Sequence, residues 1–231
     1  MFERYALFYT PTDALADFGA AWLGWDAARG RHVAHPGISG LDLARVTAVP
    51  RKYGFHATLK APFRLAAGAD ANALQHAAAD FARSHAAFGI GAMALRHDNR
   101  FVALRPGADP AHLRDFAAAA VIAFDRFRAP PSDADIARRR KSRLTARQDR
   151  QMLDWGYPFI FDDLDFHLTL SGPLPRDTAA LVIAALQARL TPLVPDPFRI
   201  DAITLMGQDG AGMFHQIHRY PLPVQSRAMM A

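Results

Sequence analysis

Two short stretches of this chain carry side chains suited to moving protons at a phosphate ester. Phe55-His56-Ala57-Thr58-Leu59-Lys60-Ala61-Pro62-Phe63 recurs 111 residues later as Phe166-His167-Leu168-Thr169-Leu170-Ser171-Gly172-Pro173-Leu174, with five of nine positions identical. Read as strands, side chains alternate faces with period 2. His56, Thr58 and Lys60 then share one face, and His167, Thr169 and Ser171 share another. The intervening Phe, Ala and Leu residues form a core face in each copy. An imidazole has an unperturbed pKa near ~6.5, so at neutral pH one can act as base while a second acts as acid. Hydroxyls beside them can donate to non-bridging phosphate oxygens, where charge must be held in the transition state. Lys60 adds a cation on the predicted face of His56. Tyr53 and Arg51, just upstream, are within reach of an anionic substrate, as is Ser171 on the second copy. No metal is required by such chemistry.

The elements that must position these residues also repeat. Arg4–Thr10 is aromatic-rich and halted by Pro11, as a first strand would be. Thr12 or Asp13 can cap a helix to about Gly24. Asp70 can cap another to about His85, with Leu74, Ala78, Phe81 and His85 in one stripe. Phe88–Leu95 predicts a strand, Asp98-Asn99 a turn, and Phe101–Leu104 its hairpin partner. After the second motif, a helix from Asp177 to about Leu190 and a strand Phe198–Leu205 follow, with a last strand near Met213–Tyr220. Phe198–Leu205 matches Phe88–Leu95 at an offset of 110 residues, close to the offset of the motifs. Two matched offsets point to internal duplication. A pseudo-twofold arrangement would bring both polar faces to one cleft.

At 231 residues the chain can bury a substantial core. It has no cysteine, which excludes thiolate catalysis, disulfides and thiolate metal sites. A formal net charge of +5 suits an anionic partner. No apolar run of membrane-spanning length and no secretory h-region occurs, so a cytoplasmic protein without membrane contact is expected. Ala129-Pro130-Pro131-Ser132 is the clearest break. It sets expected boundaries of lobe 1 at about 1–128, a basic linker helix at about 133–155 and lobe 2 at about 156–225. The run Arg138–Arg143 lacks interleaved aromatics and reads as a solvated linker, with RNA binding the alternative. His32, His35, His215 and His218 are the alternative metal-ligating set, without a supporting acidic cluster.

The two His-x-Thr motifs resemble those of the 2H phosphoesterase superfamily. Arg4-Tyr5-Ala6-Leu7, Phe18–Gly24, Tyr53–Lys60 and Trp155-Gly156-Tyr157-Pro158 look more narrowly like its bacterial phosphonate-metabolism-associated branch. The resemblance implies an α+β fold, bilobal and internally duplicated, with two antiparallel sheets flanking a central cleft and helices outside. It implies His56 and His167 as catalytic acid and base and Thr58 and Thr169 as phosphate ligands. A small cyclic phosphate, such as a ribose cyclic phosphate in phosphonate catabolism, is the implied substrate of a monomeric hydrolase without cofactor or metal. The alternative is a phosphate- or RNA-binding module without turnover. Which imidazole is the base stays open at the level of sequence.

Overall fold

The aromatic run before Pro11 forms strand β1 (Arg4–Tyr9) in the computed structural model, which describes residues 2–98, 100–108 and 110–224. Helix α1 (Asp13–Leu23) stops at Gly24, whose φ of 80° lies in the left-handed region that glycine enters without steric cost. A short hairpin of β2 (Trp25–Asp26) and β3 (Arg31–His32) follows, then α2 (Leu43–Val46) and a 3₁₀ turn at Arg51–Tyr53. The first motif runs through β4 (Ala57–Phe63). Asp70 caps α3 (Ala71–Arg83) by accepting from the Ala73 N–H at 2.8 Å, and the expected stripe Leu74, Ala78, Phe81 is buried. The continuous strand expected at Phe88–Leu95 is instead β5 (Phe88–Gly89) and β6 (Met93–Asp98), parted at Gly91 with φ 77°. Strand β7 (Phe101–Pro106) pairs back on β6, with Asp98 opposite Phe101; Asn99 of the expected turn lies outside the described residues.

Helix α4 (Ala111–Ala123) leads to the linker, where one helix was expected and two are found: α5 (Asp133–Arg140) and α6 (Ala146–Trp155). The cause is a strong start signal inside the run. Thr145 accepts from the Gln148 N–H at 3.2 Å while Gln148 accepts from the Thr145 N–H at 3.1 Å, a capping box that begins α6 afresh. The second motif forms only the two-residue strand β8 (Leu168–Thr169), followed by α7 (Arg176–Leu190), β9 (Arg199–Ile200), β10 (Ala202–Gln208) and β11 (Phe214–Pro221).

The fold is α+β with antiparallel sheets. One sheet has the order β11-β10-β1-β4, another β6-β7-β8, and β5 pairs with β9. Strand, helix, motif strand, helix, strand occurs twice: β1-α1-β4-α3-β6 and β7-α4-β8-α7-β10. The last strand of each series is exchanged. β6 pairs with β7 of the second series, and β10 pairs with β1 of the first. Helix α3 accordingly packs on β10 and β11, and α7 on β6 and β7. The crossing point is β5 with β9, where Phe88 lies opposite Ile200 and Gly89 opposite Arg199. The sequence-contiguous lobes expected at about 1–128 and 156–225 are therefore not the units that build the sheets. β6 and β7 are not the counterparts of β10 and β11, since β7 starts the second series as β1 starts the first.

A single large core holds Leu7, Leu59, Leu74, Phe116, Leu168, Leu186 and Leu205 together. Burying each such side chain contributes about 1.5–3 kcal/mol relative to leaving it exposed. A one-residue slip of either motif strand would turn its leucines outward, so this burial fixes which face carries the polar residues. Trp22 joins the halves, its Nε1–H donating to the Leu170 carbonyl at 2.8 Å in full burial. Among the described residues no helix is long and apolar enough to cross a membrane.

Candidate active site

Thr58 pairs with Phe8 in β1, which puts both on the face opposite the main core. Ala6, Phe8, Met206 and Phe214 form a second, small apolar cluster on that face, with Tyr53 packed against it. The His56 ring stacks on Phe8 at 3.8 Å between centroids. His56 Nδ1 lies 3.0 Å from the Gly54 carbonyl oxygen. A carbonyl only accepts, so Nδ1 carries the proton and Nε2 keeps its lone pair, 3.3 Å from the Thr58 hydroxyl. Gly54 has φ 73°, and a side chain there would meet Ala27, so glycine is what lets this carbonyl point at the ring. Burial pushes the His56 imidazole down to about 4. The Gly54 hydrogen bond opposes that shift, and the positive form of His167 adds to it, so the two imidazoles act on one another.

The second motif repeats this local geometry. His167 Nδ1 lies 2.7 Å from the Asp165 carbonyl oxygen, again two residues upstream, leaving Nε2 as the unengaged ring nitrogen. Thr169 pairs with Ala103 of β7, so Phe101, Ala103 and Arg105 lie on its face of the sheet. Phe101 flanks the His167 ring at 5.2 Å. Here the halves differ. Asp165 also brings its carboxylate to 3.6 Å from His167 Nδ1, and the same carboxylate pairs with buried Arg105. Burial alone would raise the Asp165 carboxyl, but hydrogen bonding to and charge on His167, followed by Arg105, hold it below the usual range. One imidazole thus sits on an apolar ring with a neutral partner, and the other on a carboxylate.

Of the remaining residues expected in the site, only Tyr53 stays beside an imidazole. Its ring is 5.8 Å from His56 and stacked on Phe214. Lys60 does not share the face of His56. The β1–β4 register slips between Leu7 and Phe8, so Thr58 opposes Phe8 but Lys60 opposes Leu7. That bulge adds a residue and breaks the alternation on which the expectation rested. Lys60 is 3% exposed, and its Nζ donates to the Val121 carbonyl at 2.9 Å and to Asp125 at 3.1 Å. Burial lowers it to about 8, against the pull of the Asp125 charge. Ser171 is likewise buried: its hydroxyl accepts from the Val102 N–H and donates to the Gly172 carbonyl, both at 2.8 Å. The strand has ended by then, since Leu170 and Ser171 both donate to the Val102 carbonyl. Arg51 is spent on structure, donating to the Leu23 and Ala44 carbonyls and the Thr47 hydroxyl.

Several residues near the motifs escaped sequence reasoning. Phe8, Phe101 and Arg105 come from β1 and β7, whose pairing with the motif strands is long-range. Asp165, two positions before His167, carried a local signal in its matching distance from the motif. Tyr157 is a third case: burial raises its phenol, Arg139 pulls the other way from 4.7 Å over the ring, and both Asp165 and Tyr53 act on it. It thus lies within reach of both motifs. Of the alternative His set, His32 and His215 both pack on the Trp25 ring, at 5.1 and 5.3 Å between centroids. His35 contacts the Trp22 carbonyl and His215 pairs with Asp209 at 2.7 Å. Among the described residues no three His, Asp or Glu side chains converge on a metal position.

Two curated relatives are similar over much of the chain. The "Ribose 1,5-bisphosphate phosphokinase PhnN" of Janthinobacterium sp. (strain Marseille) is 34% identical over 232 residues, 96% of this chain and 51% of that protein. The protein of the same name from Laribacter hongkongensis (strain HLHK9) is 40% identical over 174 residues, 74% of this chain and 40% of that protein. The chain thus spans about half the length, or less, of these relatives. Among solved structures, E. coli LigT complexed with 3'-AMP aligns over 96% of this chain and 99% of its own, at 14% identity and a TM-score of 0.44. That overlap is too loose to carry an argument about activity. The family model "Protein of unknown function (DUF1045)" matches residues 58–215, from the first motif threonine through the second motif into β11, and the chain belongs to that family.

Proposed function

We propose that this protein is a metal-independent phosphodiesterase that opens a small cyclic phosphate, with His56 as general base and His167 as general acid. The carrying observation is the matched pair of Nδ1–carbonyl contacts, at 3.0 Å for His56 and 2.7 Å for His167, which leaves Nε2 of each ring for proton transfer. The difference between the rings supports the assignment of roles. His56, pushed down to about 4 on its apolar seat, is neutral at physiological pH and offers a lone pair. His167 instead has the Asp165 carboxylate 3.6 Å from its Nδ1, a negative charge on the side of the ring away from Nε2.

In the proposed step water attacks phosphorus, forming a P–O bond as the bond to the leaving alkoxide breaks. His56 Nε2 takes the water proton, and His167 Nε2 gives one to the alkoxide. The product is a phosphomonoester, and exchange with solvent restores both rings. A base held near 4 is weak in the free enzyme. A bound phosphodiester anion raises it by offsetting the desolvation that lowers it. Thr58 and Thr169 donate to the non-bridging oxygens. Tyr53 walls the His56 side, and Arg105 keeps Asp165 charged behind His167.

The relatives' name concerns a phosphorylated ribose, which makes a phosphorylated-sugar cyclic ester a reasonable first substrate. No G-x-x-x-x-G-K-[ST] phosphate cradle occurs in these 231 residues. We therefore assign the phosphokinase of that name to the part of those proteins outside the match. The test is a panel of nucleoside 2′,3′-cyclic phosphates and ribose cyclic phosphates, assayed in EDTA. Turnover lost by about 10²-fold or more in both His56→Gln and His167→Gln is expected. Full activity in either variant refutes the acid–base pair. Activity that vanishes in EDTA and returns with metal refutes the metal-free mechanism.

A further inference from the structure

The basic linker is not only solvated surface. Arg138 and Arg139 of α5 face Arg4 of β1 and Arg64 just beyond β4 around one cavity of about 50 Å³. A water needs roughly 10–15 Å³ by the same measure, so the cavity has room for a phosphate-sized group. Its charge is unbalanced. Asp135 is the lining carboxylate, and it is shared by Arg64 at 2.9 Å and Arg138 at 2.7 Å. Arg128, also lining the cavity, is paired with Asp125. Among the described residues, Arg4 and Arg139 have no carboxylate partner. Arg4 is half-buried and held by Gln208 through its Nε. Burial lowers its guanidinium first, and Arg138 and Arg64 add like-charge repulsion, opposed by Tyr53 and Asp135. Crowding like charges costs free energy, which an anion placed among them recovers.

The cavity adjoins the candidate active site. Arg139 lies over Tyr157, and Tyr53 acts on both Arg4 and Tyr157. Arg4 and Phe8 are on one face of β1, four residues or roughly 13 Å apart. Arg4 thus starts roughly 13 Å along β1 from Phe8, the residue on which the His56 imidazole stacks.

We propose that Arg4, Arg64, Arg138 and Arg139 form a second anion subsite, which takes a terminal phosphate on a substrate whose cyclic phosphodiester lies between His56 and His167. This rests on the proposed hydrolase for the position of the first phosphate. The ligand class is then a small cyclic phosphodiester with an additional phosphomonoester. The guanidinium forks supply charge-assisted, paired hydrogen bonds to that monoester.

The subsite is tested by calorimetric binding of adenosine 2′-monophosphate and adenosine 2′,5′-bisphosphate to the wild type, Arg4→Gln and Arg139→Gln, alongside the hydrolysis panel. The wild type is expected to bind the bisphosphate about 10-fold or more tightly than the monophosphate, with the advantage shrinking as salt rises. Each variant should lose most of that advantage while keeping its affinity for the monophosphate. Arg4 is tied to Gln208, so if its variant fails to fold the decision falls to Arg139 on the linker helix. Equal binding of the two nucleotides by the wild type overturns the subsite, as does an advantage that survives in Arg139→Gln or no binding of either. Cyclic-phosphate hydrolysis without a bisphosphate advantage removes the subsite and leaves the hydrolase. An arginine-dependent advantage without hydrolysis removes the hydrolase and leaves the subsite.

Discussion

The most exacting consequence of the His56 environment is its titration. Placing the ring on Phe8 moves it from the ordinary 6.5 to about 4, a displacement worth roughly 3 kcal/mol between its two protonation states. The sign follows from linkage. The unfolded chain takes up this proton as pH falls through 6.5, whereas the folded protein resists until about 4. The contribution is therefore fully present above 6.5 and lost progressively between 6.5 and about 4. Urea unfolding of wild type and His56→Gln across that range should diverge by roughly 3 kcal/mol, the wild type losing more as pH falls. Under the proposed mechanism the same displacement governs catalysis. Near pH 5.5 a base titrating at 4 is about 97% neutral, whereas one titrating at 6.5 is only about 9% neutral. The acid limb of kcat/KM should thus fall well below the ordinary histidine range. Parallel unfolding slopes for the two proteins, together with an acid limb near 6.5, would refute the burial argument.

Two further outcomes follow from the placement of side chains away from the two imidazoles. Lys60→Met should keep kcat/KM within about 2-fold while altering stability, because it replaces a buried ion with hydrocarbon and leaves Asp125 to Arg128; a loss of more than about 10-fold would restore the substrate role that its strand position suggested. Trp22→Phe leaves the buried Leu170 carbonyl without its donor, at a cost of about 1–3 kcal/mol. Thermal melting should register it as a fall of about 2–4 °C per kcal/mol, and an unchanged midpoint would mean that the link between the halves carries no stability.

The parts of this molecule that sequence reasoning captured are those governed by local rules. Asp70 capped its helix, Gly24 ended another, and Leu59 and Leu168 turned inward as alternation required. Thr58 and Thr169 lie across their strands from those leucines for the same reason. The failures have equally physical origins. Period-2 counting assumes an unbroken ladder, and the β1–β4 bulge sends Lys60 to the helix side. β8 ends after two residues, which places Ser171 among backbone partners rather than beside His167. The exchanged strands were read as local hairpin repeats, since β6–β7 and β10–β11 both look like hairpins. Only long-range pairing distinguishes their roles. The arginine run carried no signal of its destination, because its neighbours Arg4 and Arg64 are more than sixty positions away.

The exchange of β6 and β10 also constrains how the protein can form. The sheet bearing His56 is held between β4, made early, and β10 with β11, made near the end of the described chain. Its ladder closes a loop of about 200 residues between Arg4 and Gln208. Such closure carries a large entropic cost before any contact rewards it, so this sheet is a late-forming one. The nascent first series leaves the edge of β1 open until its partner arrives from the second. Neither series can mature alone into half a site, and a lesion in the last strands should be felt first at His56, far away in sequence. The two motif histidines are thus folded and lost together.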